Sequence, residues 1–333
     1  MTNNLIIANA CQDRFTPWNQ RLMDQTNRTT FQQLKLAASE IYPGSNPRSI
    51  AYRWSAMALV LLQITRINQW IHQNNNNQFL LDELRSSSRL FVAILRPYVH
   101  KKWTISKRLV ALEQHYLAIA EKGRLFAFNE NQYIDLVQLG LEYLDLRVVV
   151  DKPVWMRSEG EIAVSIFYQQ HRIYTAMFLV TGNSGCRKLV IGAIQGWGGE
   201  SHAKELYVEI TRALHGLRPR DFLISMLKII ATNLGCSEIM GVSDACHRSV
   251  NLFSSATKQT AYDGIWKEHD GQLNSEGFFV IPTELRQREA AEIPARKRAL
   301  YRRRYELIHD IQQKINHSFD TNEWGLMNHP HID

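Results

Sequence analysis

Between Lys188 and Asp244 the chain reads KLVIGAIQGWGGESHAKELYVEITRALHGLRPRDFLISMLKIIATNLGCSEIMGVSD. This stretch constrains the fold more than any other. It predicts a strand, a glycine-rich turn, a helix, a second helix opened by Pro219, and a further strand. A strand that ends in glycines leaves backbone N–H groups open to a ligand. A helix that starts on Pro219, with Arg218 and Arg220 beside it, offers an anion a place at its N-terminus.

Upstream, the pattern to about Leu144 is helical. Phe31, Leu34, Leu36, Ala38 and Ile41 recur at helical spacing and stop at Pro43-Gly44. Ser49 is placed to cap a long helix through Trp70, and further helices are expected near Leu80 to Leu95, Ile105 to Ala120 and Gln132 to Tyr143. The period then changes to two. Ile162 to Gln169 and Ile173 to Val180 form a hairpin, and the second strand is apolar on both faces, as in a covered central strand. Gly277 to Ile281 is the last expected strand. A basic helix over Glu284 to Ile315, divided by Pro294, closes the chain. The expected class is α+β. A helical N-terminal region (1–144) precedes a mixed-sheet α/β domain (145–283) and a basic C-terminal helix and tail (284–333).

Length and composition bound the function loosely. A chain of 333 residues favours two domains, and 45% hydrophobic content can fill a core. A net charge of +7 fits an anionic cofactor, a membrane surface or nucleic acid and selects none of them. The four cysteines, Cys11, Cys186, Cys236 and Cys246, contain no C-x-x-C pair. That argues against a disulfide framework or a zinc module and for reduced thiols. The start, MTNNLIIANACQDRF, lacks the basic and apolar regions of a secretory signal. The most apolar helical run, Trp54 to Leu62, falls well short of the roughly 20 residues of a membrane span. The expectation is a cytoplasmic protein with access to the inner-membrane surface.

Five clusters carry candidate chemistry, each with a plainer alternative. Gln195, Gly196, Gly198 and Gly199 could hold a cofactor arm by main chain, or form a flexible strand-to-helix connection; the spacing matches neither a P-loop nor a complete G-x-G-x-x-G. Arg218 and Arg220 could bind a diphosphate, although Asp221 in the first turn already complements the helix dipole. Asp244, Cys246 and His247 follow a late strand, where ligand crevices form; His247 is a candidate base, while Asp244 could instead cap a helix and Cys246 could be an inert thiol. Glu268 lies in the dense run from Tyr262 to Gly271, a candidate site wall or a turn with its aromatics buried; no metal-ligand spacing is present. The run from Arg296 to Tyr305, with Arg302, Arg303 and Arg304 at its centre, could grip anionic lipid or face water on a docked helix. No nucleic-acid recognition pattern accompanies it, so nucleic acid is not an expected partner.

Several segments together resemble the VirK/YbjX family of Gram-negative bacteria. They are Arg96-Pro97-Tyr98, His115-Tyr116, Ile191 to Gly196, Ala213 to Pro219, Gly241-Val242-Ser243 with His247, Tyr262-Asp263 with Trp266 and Glu268, and Arg302 to Tyr305. The resemblance implies a setting in virulence, envelope remodelling and resistance to cationic antimicrobial peptides, and it supplies no catalytic residues. The element order from Ile162 onward is also similar to the Gcn-five-related acetyltransferase fold. That likeness implies an acyl-CoA lying along the strand ending near Gly196, its diphosphate at Arg218 and Arg220, and Asp244, His247 or Glu268 as the acid–base group. The helix over His202 to Leu214 interrupts that family's direct strand-to-helix turn. The alternative is a noncatalytic adaptor for a partner or an anionic membrane surface.

Overall fold

The computed structural model describes residues 30–87, 89–122, 126, 128–141, 144–169, 171–197, 203–248, 261–321 and 323–328. The chain divides into two compact units, Met1–Arg96 and Pro97–Asp333. Residues 97–144, expected with the helical region, therefore lie in the second unit.

The described part of the first unit is helical: α1 (Thr30–Ile41), α2 (Pro47–Gln73), α3 (Gln78–Ser86) and α4 (Arg89–Leu95). Its core comes from Leu34 and Ala38 on α1, Val60, Ile67 and Trp70 on α2, Leu80 on α3 and Phe91 on α4. The cap of α2 is Asn46, not Ser49. The Asn46 side chain accepts the Ser49 N–H at 2.8 Å, and Pro47 occupies the first turn, where a missing N–H costs nothing.

The second unit is built on one mixed sheet. After α5 (Ile105–Ala120) come β1 (Gln132–Leu141), β2 (Leu144–Asp151), β3 (Ile162–Tyr168), β4 (His171–Thr181) and β5 (Arg187–Gly196). Then follow α6 (Ala203–Ala213), α7 (Pro219–Asn233), β6 (Cys236–Val242), α8 (Tyr262–Glu268), β7 (Gln272–Leu273), β8 (Phe278–Ile281), α9 (Arg298–Thr321) and β9 (Gly325–Asn328). Among the described residues nine strands run in the order β7-β8-β6-β5-β4-β3-β2-β1-β9. Every neighbouring pair is antiparallel except β5 with β6. Helices α5 and α7 both pack on β4, and β3 to β5 are buried along both alternating faces.

Two expected elements change. The segment from Gln132 is a strand and not a helix. Asp135 and Val137 pair with the adjacent residues Val149 and Val148, so Leu136 is an extra residue in the ladder. That bulge converts a period of two into the spacing Ile134–Val137, which imitates a helix. The closing helix begins only at Arg298. Pro294 leads a 3₁₀ turn over Ala295–Lys297, because a residue without an N–H cannot continue an earlier helix.

Candidate functional site

The parallel pair β5–β6 parts company at its carboxyl end. Its ladder stops at Ile191↔Gly241, whereas β5 stays paired with β4 as far as Tyr174↔Gly196. The departure begins at a bulge: Met177 faces Ala193 and Phe178 faces Ile191, which leaves Gly192 extra. Glycine is required there by close approach, since a Cβ would lie 1.9 Å from the Glu159 carbonyl oxygen. Behind the gap the Glu159 carboxylate accepts from Arg248 Nε at 2.6 Å. His247 is buried beside it, its ring 5.1 Å from that of Tyr262. Burial, and secondarily Arg248, hold the His247 imidazole down to about pH 4 against a hydrogen bond to the Gly192 backbone. It is therefore neutral near pH 7.

A cavity of about 350 Å³ is lined by Tyr174 of β4, Tyr207, Val208 and Thr211 of α6, and Arg218, Pro219 and Arg220 at the start of α7. Gly196 lies under the Tyr174 ring, where a Cβ would come 2.7 Å from Cζ. Tyr207 donates its hydroxyl to the Trp197 carbonyl at 2.8 Å, which ties α6 to the end of β5. Gln195 is exposed. Gly198 and Gly199 lie outside the described residues. Tyr174, whose ring covers Gly196 near the end of β5, thus shares one cavity with the two arginines. Tyr174 and Tyr207 were not singled out from the sequence, because only the placement of α6 makes them walls.

The arginines already have carboxylate partners. Arg218 donates to Asp221 at 2.6 Å and to Glu268 at 2.6 Å, and Arg220 also donates to Glu268. His269 completes the group, 3.4 Å from Asp221. Burial alone would raise the Asp221 pKa, but the bonds from His269 and Arg218 outweigh it and bring it to about 2. Arg218 and Glu268 are both exposed, and such a pair contributes at most about 1 kcal/mol, so a stronger anion could replace the carboxylate. A second hollow of about 740 Å³ between α7 and α9 shares Arg218 and adds Lys228, Arg286 and Arg304.

The three candidate acid–base groups do not converge. The Asp244 carboxylate accepts the N–H groups of Tyr262 (2.8 Å) and Asp263 (3.2 Å), and Asp263 in turn accepts the Asp244 N–H at 2.8 Å. This reciprocal pair ties the end of β6 to the first turn of α8. Glu268 is the last residue of that helix, roughly 9 Å along its axis at 1.5 Å per residue. His247 is buried behind both. Cys246 is buried under Gly277, and burial pushes the Cys236 thiol up to about 12. Among the described residues no group of three or more His, Cys, Asp or Glu could hold a metal. In the basic segment Arg302 and Arg303 are exposed, while Arg304 donates to the His215 carbonyl at 2.9 and 3.1 Å and lies over the Tyr301 ring.

These features define an α+β protein in which a mixed sheet loosens beside an arginine-led helix start. Residues 45–317 match the family described as "Protein of unknown function (DUF535)". The chain belongs to this VirK/YbjX family. It is similar to the uncharacterized protein YbjX of Escherichia coli, 28% identical over 297 residues that cover 85% of this chain and 88% of the relative. An uncharacterized protein of Haemophilus influenzae is 28% identical over 263 residues, covering 74% and 87%. Membrane protein LapB of Mannheimia haemolytica is 22% identical over 222 residues, covering 62% and 89%. No solved structure matches the chain significantly. No helix among the described residues is long and apolar enough to cross a membrane.

Proposed function

We propose that this protein is an acyl-CoA-dependent, acyltransferase-like member of its family, acting in the cytoplasm on envelope modification and thereby in virulence and antimicrobial-peptide resistance. One observation carries the reading. β5 leaves β6 beyond Ile191, and Tyr174, which covers Gly196 near the end of β5, lines a cavity together with Arg218 and Arg220. The strand order adds support, with its one parallel pair made by the strand after the central hairpin and the strand after the next two helices. In this reading the backbone of Gln195 to Gly199 holds the thioester arm. Arg218 and Arg220 take the diphosphate in exchange for Glu268. The acceptor nucleophile attacks the thioester carbonyl, the C–S bond breaks, and the acceptor's proton passes to His247 or the released Glu268. CoA leaves as the thiol after protonation. Calorimetry with acetyl-CoA and longer acyl-CoAs tests this. The Arg218→Ala/Arg220→Ala protein should bind at least about tenfold more weakly. Equal, nonspecific heats for both proteins would remove the reading.

The dispersed acid–base groups and the carboxylates on the arginines favour a second reading, a noncatalytic adaptor on the anionic inner-membrane surface. Exposed Arg302 and Arg303 supply its charge, with Arg304 fixing the helix through His215. The LapB relative, a membrane protein by name, points the same way. Cosedimentation with anionic vesicles that is indifferent to Arg302→Ala/Arg303→Ala would remove this version.

A further inference from the structure

Helix α2 shows two apolar faces where one is needed. Its inner face, Ala56, Met57, Val60, Ile67 and Trp70, is buried in the first unit. A second stripe points outward: Ile50 is 40% exposed, Trp54 73%, Leu61 56% and Leu62 78%. With exposed Ala58 and Thr65 these positions follow spacings of three and four, so they lie along one side of the helix. Isolated exposed hydrophobics need no explanation, but a contiguous row headed by tryptophan does.

The charges of the same helix indicate what covers the row. Its 27 residues, PRSIAYRWSAMALVLLQITRINQWIHQ, contain no Asp or Glu and three arginines. At 100° per residue Arg48 and Arg66 fall along one edge of the stripe, while Arg53 falls on the inner side between Val60 and Met57. The guanidinium groups are tethered locally: Arg48 donates to the Tyr52 hydroxyl, Arg53 to the Gly44 carbonyl and Arg66 to Gln63 at 3.0 Å. A second copy of the chain pairing through this face would bring arginine rows together with no carboxylate on the helix to answer them. An anionic lipid surface answers them directly. Apolar side chains enter the acyl boundary, tryptophan sits at headgroup depth, and arginines snorkel to the phosphates.

We propose that the outward face of α2 (Ile50, Trp54, Leu61, Leu62, edged by Arg48 and Arg66) is an interfacial membrane-binding surface for anionic phospholipid. The helix lies in the plane of the bilayer surface and does not cross it. The inference is independent of the acyl-transfer reading and of the arginines on α9.

The test is flotation of the full chain with two vesicle compositions, phosphatidylcholine alone and phosphatidylcholine with about one quarter phosphatidylglycerol, a charge that gives a basic amphipathic surface its attraction. The wild-type protein should float with the anionic vesicles. Leu61→Glu/Leu62→Glu and Trp54→Ser should each lose at least about tenfold in partitioning, since affinity follows the apolar area inserted. Thermal unfolding of these variants should match wild type, because the inner face is untouched. Three results would overturn the proposal: no flotation of wild type, flotation unchanged by the α2 substitutions, or light scattering that shows a dimer which Leu62→Glu dissociates.

Discussion

The main chain at Glu159 passes directly over Gly192, so closely that a Cβ on the glycine would stand 1.9 Å from the Glu159 carbonyl oxygen. The same Glu159 holds Arg248 through its side chain. One residue therefore fixes both the bulge in β5 and the loop that follows β6. The point where the parallel strands separate is built into the fold.

Gly192→Ala should consequently be severe. The methyl group meets backbone, which cannot rotate away as a side chain would. Unfolding in urea should show a loss on the order of 3 kcal/mol, at the upper end of what overpacking costs. A loss under about 0.5 kcal/mol, the range of neutral surface changes, would mean that the segment through Glu159 yields freely.

Asp244 should behave as a structural carboxylate. Asp244→Ala strands the N–H groups of Tyr262 and Asp263 at the start of α8 and should cost about 1–2 kcal/mol, as loss of a helix cap does. Asp244→Asn keeps one acceptor and should cost less. Unaltered stability in the alanine protein, with binding or turnover lost, would return Asp244 to an acid–base role.

The parts of the fold carried by local pattern were legible in the sequence. Helix α7 announces itself by Pro219 at one end and Gly235 at the other, and β4 by apolar residues on both alternations from Ile173 to Val180. β1 was not legible, because the extra Leu136 breaks the alternation. β9 has only four residues and gains its ladder from β1, far away in the chain. The candidate site divides the same way. Residue types that bind anions could be named at Arg218 and Arg220. Their neutralisation by Glu268, fifty residues on, depends on where α8 ends. Asp244 and His247 are three residues apart in sequence and both meet Tyr262 at the start of α8, the first through its carboxylate and the second through its ring.

The buried neutral His247 should leave a mark on stability. Its folded pKa of about 4 lies below the ordinary value of 6.5, so between those values the unfolded chain binds the extra proton. Stability is unaffected by this group above pH 6.5 and falls as pH drops from 6.5 toward 4, by on the order of 3 kcal/mol in total. Unfolding free energies measured at steps of pH should show this slope, and His247→Gln should flatten it. A parallel slope in the variant would assign it to other groups.

Glu268 acts in this structure as a stand-in anion, since its Oε2 atom accepts from both Arg218 and Arg220. A ligand bearing a diphosphate must displace it from two ion pairs that share the exposed Glu268 carboxylate, each worth on the order of 1 kcal/mol. Glu268→Gln keeps the shape and removes the charge, so both guanidinium groups become available while Asp221 still orients Arg218. Inorganic pyrophosphate titrated calorimetrically at low ionic strength should bind roughly three- to tenfold more tightly to the variant. The gain should shrink as salt screens the exposed groups. Arg218→Ala/Arg220→Ala added to Glu268→Gln should abolish it. If Glu268→Gln left pyrophosphate affinity unchanged or lowered it, the arginine pair would be a strut between α7 and α8 and not a receptor for phosphate.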